Sequence, residues 1–174
     1  MLEQVRDLRE EGDELYELLK TLEESDWRRP TPFKSWTVQD VVEHLHFSDR
    51  LAILSLKSDE EFLNGAKDLG KAMMEEGLEL TTYSRRQLGS LEPSEALKLW
   101  RDYFVEMCDL LDAADPKARL KWFGPDMGVR MFTTARQMET WAHGQEIYDL
   151  LRVPREYTDR LKNIAVIGVK TFGW

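Results

Sequence analysis

Residues 37–56, TVQDVVEHLHFSDRLAILSL, carry the pattern that decides the fold. Thr37 is a favourable helix N-cap, and Asp40 follows three residues later, where an acidic side chain can complete the cap. Val41 and Leu45 then begin a stripe of apolar residues at spacings of three and four, which is the periodicity of a helix with one buried face. This segment therefore predicts an amphipathic helix.

The same periodicity recurs along the rest of the chain, with few interruptions. Residues 2–23 place Val5 and six leucines on one helical face, and the two prolines and the aspartate of residues 25–32 are expected to end that helix. Further helical segments are expected at 59–89, from 93 to about 115, at about 128–152 and at 155–172. Pro154 forbids continuation of the helix that precedes it.

Three segments are less regular. Gly65, Gly70 and Gly77 favour a kink or a break within residues 59–89. Residues 116–127 are expected to form a loop, in which the Trp122-Phe123 pair packs on the core or lines a cleft. The β-branched run at 164–169 has the propensity of a strand. No partner strand is evident, so we expect a buried helix there.

These patterns predict an all-α protein, in its simplest form a four-helix bundle with additions. No repeat, low-complexity tract or linker divides the chain, so residues 1–174 are expected to form a single domain. A length of 174 residues is enough to bury a sizeable core.

The charge balance excludes some classes of partner. The 24 basic and 33 acidic side chains give a formal net charge of −9, without a basic stripe, and so argue against nucleic-acid binding. No apolar run is long enough to span a membrane, and the acidic first twenty residues do not predict a signal peptide. Cys108 is the sole cysteine and fits a reducing compartment. A cytoplasmic protein is therefore expected, with Cys108 in the core.

The histidines are the candidates for chemistry. His143 follows Glu139 by four residues in a strong helical pattern, which places both side chains on one face. His44 lies on an earlier helix, which in an antiparallel bundle would let it project toward that pair. Two imidazoles and one carboxylate form a metal-ligand set with open positions. A surface ion pair or a core histidine explains the same spacing.

Residues close to these three in the sequence are expected to have lesser roles. His46 points to a different side of the helix from His44, so it is expected at the surface or behind a ligand. Asp40 suits the first turn of the helix. Asp49 would either orient a ligand histidine or lie at the surface as an ordinary acid. Glu43 and Asp49 are the nearby candidates for a general base.

Two stretches resemble a known metalloprotein family. Residues 35–45, SWTVQDVVEHL, are similar to the Trp-Thr-Val…His-Leu signature of the DinB/YfiT-like superfamily, and closer still to the metal-binding N-terminal domain of mycothiol-dependent maleylpyruvate isomerase. Residues 136–149, RQMETWAHGQEIYD, resemble the second half of that signature. The closing stretch, residues 164–174, resembles the last helix of a related metal-binding family.

The resemblance implies a DinB-like up-down four-helix bundle with an extra C-terminal helix and a divalent metal held by His44, Glu139 and His143. Zn²⁺ is the first expectation, and Ni²⁺, Fe²⁺ and Co²⁺ suit the same donors. Longer members of the group carry a further α/β domain, which in the isomerase contributes to substrate binding. These 174 residues are expected to correspond to the helical domain alone.

The activity implied by the resemblance is that of a thiol-dependent S-transferase or isomerase. Its partners would be a low-molecular-weight thiol and a small-molecule substrate. Two alternatives stay open: a non-catalytic bundle with a structural metal or none, and a metal-dependent hydrolase. A fourth protein ligand such as Asp40 or His46 would favour the structural alternative. Assembly into a homodimer is also left open.

Overall fold

The structure, a computed structural model, describes residues 2–171. Its long helices are α1 (Glu3–Leu19), α3 (Val38–Lys57), α6 (Pro93–Ala113) and α7 (Val129–Leu151). Shorter elements are α2 (Glu24–Trp27), α4 (Asp59–Met74), α5 (Leu80–Leu88), the strands β1 (Arg119–Leu120) and β2 (Met127–Gly128), and α8 (Leu161–Thr171). The prediction of an all-α fold is confirmed.

The four long helices form the bundle. Helix α1 packs on α6 and α7, and α3 packs on the same two helices. Their apolar faces meet in one main core, whose largest members include Leu8, Leu15, Leu45, Trp100, Phe104, Phe132 and Ile147. Helices α4 and α5 cover another face of α3, and α8 packs on α7. Helix α3 is therefore surrounded by other helices.

The start of α3 is as the sequence predicts. The Thr37 side chain accepts a hydrogen bond from the Asp40 backbone N–H, and the Asp40 carboxylate accepts one from the Thr37 backbone N–H at 2.9 Å. This reciprocal cap fixes the first turn of the helix. Arg85 forms an ion pair with the same carboxylate. The first-turn role expected for Asp40 is confirmed.

Several boundaries differ from the expected ones. The first helix ends at Leu19, and the short helix α2 occupies part of residues 25–32, where a break was expected. The break within residues 59–89 falls at Gly77, whose φ of 67° suits glycine, while Gly65 and Gly70 lie inside α4. Residues 116–127 contain most of a small antiparallel β1–β2 pair.

The last helix is correctly predicted as a helix, but the expectation that it is buried is wrong. Val166 is 44% exposed and Val169 is 71% exposed. Helix α8 packs mainly on α7, and Asn163 donates a hydrogen bond to the Asp7 carboxylate of α1 at 3.1 Å, so part of the apolar run stays outside the core. The end of the segment predicted to close the fold, residue 172, lies outside the described residues, as do residues 173 and 174.

No helix among the described residues has the length and hydrophobicity that a bilayer crossing requires.

Gly12 marks a close approach between α1 and α6. A Cβ atom at this position would clash with the far edge of the Phe104 ring. We expect Gly12→Ala to lower the free energy of unfolding by about 1–3 kcal/mol, because overpacking outweighs the gain in helix propensity. Gly70→Ala is the matched control, since no atom lies within 4 Å of its Cβ, and it should raise that free energy by up to about 1 kcal/mol. Chemical denaturation measures both, and shifts of the same sign would contradict this packing.

Candidate metal centre

Two helices of the bundle bring the three predicted donors together. His44 lies on α3, two turns after its cap, and Glu139 and His143 lie one turn apart on α7. The two helices pack against each other, so the side chains enter one shared space. The imidazoles are each 12% exposed and the carboxylate is 36% exposed.

The two imidazole nitrogens and the carboxylate oxygen lie close together, but at distances too long for strong hydrogen bonds. His44 Nε2 lies 3.5 Å from Glu139 Oε2, and His143 Nε2 lies 3.6 Å from the same oxygen. One donor atom from each residue falls within 4.8 Å of the other two. Ligands held about 2.1 Å from a tetrahedral zinc ion stand about 3.4 Å apart, so these two distances suit a shared ion better than a strong hydrogen bond.

The protonation states favour metal binding. The neighbouring His44 imidazole, and then the Arg136 guanidinium, lower the pKa of Glu139 to about 2, against the opposing effect of burial. Burial, followed by repulsion from His44, lowers the pKa of His143 to about 4. At neutral pH Glu139 is therefore a carboxylate and His143 a neutral imidazole, which are the forms that bind a metal.

A carboxylate stands behind one of the imidazoles. Glu146 Oε1 lies 3.4 Å from His143 Nδ1, and Glu146 Oε2 accepts a hydrogen bond from the Thr31 hydroxyl at 3.1 Å. A carboxylate next to the second ring nitrogen is the usual means of orienting a ligand histidine. Glu146 forms no hydrogen bond with that nitrogen, because the Nδ1 atoms of His44 and His143 are both buried without a hydrogen-bond partner in the described part of the chain.

An aromatic cover closes one side of the centre. Trp36 stacks on the His143 ring at 5.8 Å between centroids and 11° between planes, and Phe33 meets the same ring edge-on at 5.4 Å. Residues 30–37 hold the cover in place through a bridge between Pro30 and Thr37. The cover shields the imidazoles from water.

The other side of the centre opens into a pocket of about 290 Å³. Its polar residues are His44, Ser48, Arg136 and Glu139. Its apolar lining consists of Phe47, Leu51, Leu69, Leu80, Trp122, Phe123, Met127, Phe132, Ala135 and Met138. The expectation that the Trp122-Phe123 pair packs on the core or lines a cleft is confirmed. Two of the three donors are thus accessible from an apolar cavity.

Comparison with known proteins identifies the family. The model of the mycothiol maleylpyruvate isomerase N-terminal domain matches residues 8–148, which is most of the chain. The chain belongs to this family. Two uncharacterized proteins of Mycobacterium tuberculosis, from strains CDC 1551 / Oshkosh and H37Rv, are each 35% identical over 167 residues, or 96% of this chain. The chain spans 63% of the length of these relatives.

A solved structure shares the fold. The crystal structure of a mutant of the mycothiol-dependent maleylpyruvate isomerase matches with a TM-score of 0.61 and 11% sequence identity. The match covers 83% of this chain and 59% of that one. The resemblance inferred from the two signature stretches is confirmed, and with it the fold.

Asp49 and His46 do not lie at the surface. Asp49 is completely buried, and its carboxylate accepts hydrogen bonds from Arg136 Nη2 at 3.0 Å and Trp100 Nε1 at 3.2 Å. His46 is buried against the Tyr103 ring, away from the three donors. The expectation of surface positions is wrong because α6 and α7 cover the sides of α3 on which these residues lie.

The structure also adds residues that the sequence did not indicate as part of a site. Arg136 and Ser48 line the pocket, and Glu146 lies behind His143. Arg136 lies three residues before Glu139, so it shares the ligand-bearing face of α7. The three-residue spacing from Glu139 is the one signal in the sequence that indicated Arg136.

Cys108 is a core residue, as expected. It is completely buried, and burial raises the pKa of its thiol to about 12. We expect a disulfide-exchange reagent to leave Cys108 unmodified in the folded protein and to modify it fully in denaturant, because the thiolate is the reactive form. Rapid modification of the folded protein at neutral pH would contradict the burial of Cys108.

Proposed function

We propose that this chain binds a divalent metal ion through His44, Glu139 and His143 and serves a thiol-dependent transferase or isomerase reaction in the cytoplasm. The observation that carries the proposal is the convergence of two imidazole nitrogens and one carboxylate oxygen within 4.8 Å, beside an apolar pocket. Membership of the maleylpyruvate isomerase N-terminal domain family supports it. The match to a mycothiol-dependent enzyme adds only the shared fold.

Zn²⁺ is the metal we propose, because two neutral imidazoles and a carboxylate form a known zinc donor set. Ni²⁺, Fe²⁺ and Co²⁺ suit the same donors. When bound, the ion would supply a lowered pKa for a coordinated thiol and so maintain a thiolate at neutral pH.

The surrounding residues prepare the centre for that chemistry. The Glu146 carboxylate lies 3.4 Å from His143 Nδ1, close enough to accept a hydrogen bond from it once the ring binds a metal through Nε2. Trp36 covers one side of both imidazoles, and Phe33 covers the edge of His143. The apolar pocket on the other side provides the space for a thiol and a small substrate. A dry, low-dielectric surrounding strengthens every electrostatic interaction made there.

The two alternatives receive less support. Among residues 2–171, no fourth His, Cys, Asp or Glu joins the group of three, whereas a structural site is usually closed by four protein ligands. A hydrolase needs a general base, but Asp49 is held by Arg136 and Trp100. Glu43 lines a different cleft together with Asp40.

Cobalt substitution tests the proposal. Co²⁺-loaded protein titrated with mycothiol, glutathione or cysteine should develop a sulfur-to-cobalt charge-transfer band, because a thiolate enters an open position. Serine is the matched control, since it offers a hydroxyl in place of the thiol. His143→Ala should show no band. Loaded protein whose spectrum stays unchanged with all three thiols would contradict the thiol-dependent part of the proposal.

A further inference from the structure

Arg136 lines the pocket beside the metal centre, although it is 97% buried. Its Nε and Nη2 both donate to Asp49 Oδ1, at 3.3 and 3.0 Å. This ion pair holds the plane of the guanidinium and leaves Nη1 outside it. Ser48, one turn after His44 on α3, lines the same pocket. The pocket therefore contains a fixed guanidinium and a hydroxyl.

The charge of the site favours an anionic ligand. Asp49 and Arg136 neutralise each other, and a divalent ion on Glu139 and two neutral histidines leaves a formal charge of +1. Arg136 is the sole cationic side chain among the described residues that line the pocket. A guanidinium is suited to a carboxylate because its N–H groups match the two oxygens. The side chains that line the pocket therefore offer a cationic partner to one carboxylate and none to a second.

The rest of the pocket suits a hydrocarbon body. Ten of its fourteen lining residues are apolar, and they include the aromatic rings of Phe47, Trp122 and Phe132. An apolar cavity of about 150 Å³ accommodates benzene. The pocket, at about 290 Å³, therefore has room for a phenyl ring with a short acid-bearing chain.

We infer that Arg136, supported by Ser48, is the anchor for the carboxylate of a monocarboxylic acid whose aromatic or aliphatic body fills the apolar pocket. The inference rests on the proposed function for its chemical purpose, because the acid would lie beside the metal centre and its thiol. Asp49 is a positioning residue that keeps the guanidinium in place.

Calorimetric binding of matched probes tests this inference. We expect 3-phenylpropionate to bind wild-type protein at least about tenfold more tightly than 3-phenylpropionamide, which has the same shape without the charge. Phenylsuccinate, with a second carboxylate, should bind more weakly than 3-phenylpropionate. Equal affinity for the acid and its amide would overturn the inference without any variant.

A charge-neutral double variant assigns the preference to Arg136. Asp49→Asn with Arg136→Met removes both charges and keeps an acceptor for Trp100, and it should abolish the acid-over-amide preference. The control, Asp109→Asn with Arg9→Met, makes the same changes at an ion pair outside the pocket. This control should retain the preference for the acid over the amide. Circular dichroism verifies that both variants are folded.

Measurements before and after metal removal separate this inference from the proposed function. If wild-type protein binds no metal yet shows the Arg136-dependent preference, the metal chemistry fails and the acid site stands. If the preference survives in the Asp49→Asn, Arg136→Met variant and disappears with the metal, the ion itself binds the acid and the inference fails. A double variant that does not fold leaves the comparison of acid, amide and diacid as the deciding test.

Discussion

Replacing Arg136 with methionine is expected to lower the free energy of unfolding by about 3–5 kcal/mol, one of the largest effects of any single substitution in this chain. The reason is the charge left behind: Asp49 is completely buried, and without the guanidinium its carboxylate has no cationic partner. Burial raises the pKa of Asp49, and the Arg136 charge opposes that rise. Urea denaturation at neutral pH measures the loss.

The double variant described above separates an unpaired charge from a general packing defect. Asp49→Asn with Arg136→Met should regain most of the lost stability, since no buried charge remains. Arg9→Met is the control, because its partner Asp109 is exposed and such pairs contribute less than about 1 kcal/mol. A loss in Arg136→Met no larger than that in Arg9→Met would contradict the buried ion pair.

His143→Ala is expected to weaken zinc binding by more than about 100-fold. The substitution removes one of three protein donors, whereas even the loss of an outer partner commonly costs 10–100-fold. His44→Ala should have a similar effect, because both imidazole nitrogens face the same carboxylate oxygen of Glu139. Competition with a chromophoric chelator gives the affinities.

His46→Gln is the matched control for these histidine variants. His46 lies two residues from His44 on the same helix but packs on Tyr103, so its substitution should leave the affinity within a few-fold of wild type. Wild-type affinity in both His44→Ala and His143→Ala would show that the metal, if bound, lies elsewhere.

The sequence predicted the helices of the bundle and the grouping of the three donors. Apolar periodicity identifies a helix and its buried stripe, and the four-residue spacing of Glu139 and His143 places both on one face. His44 meets that pair because α3 packs on α7. The family resemblance implied this packing, whereas a local sequence pattern cannot predict which helices pack together. Local order along each helix was therefore predictable, and the pairing of helices was not.

The errors around α3 share one physical cause. Asp49 and His46 carry polar groups, which on an average helix mark the exposed side. Helix α3 has almost no exposed side, because α4 and α5 cover what α6 and α7 leave open. A central helix must bury polar residues, and each then needs a partner. The partners of Asp49 are Arg136 and Trp100, which lie 87 and 51 residues away, beyond the range of any sequence pattern.

The opposite error occurs at the last helix. The apolar run at residues 164–169 suggested burial, yet Val166 and Val169 are exposed because α8 packs mainly on one neighbour, α7. Hydrophobicity predicts a tendency to be buried, and the number of neighbouring elements decides whether burial occurs.

Crystals of the protein grown with zinc, with anomalous data collected on either side of the zinc absorption edge, test the central claim most directly. The account predicts a single strong peak between His44 Nε2, His143 Nε2 and the Glu139 carboxylate, with at least one further position open toward the pocket. A fully loaded crystal whose peak lies away from these three side chains, or whose ion is closed off by a fourth protein ligand, would contradict it.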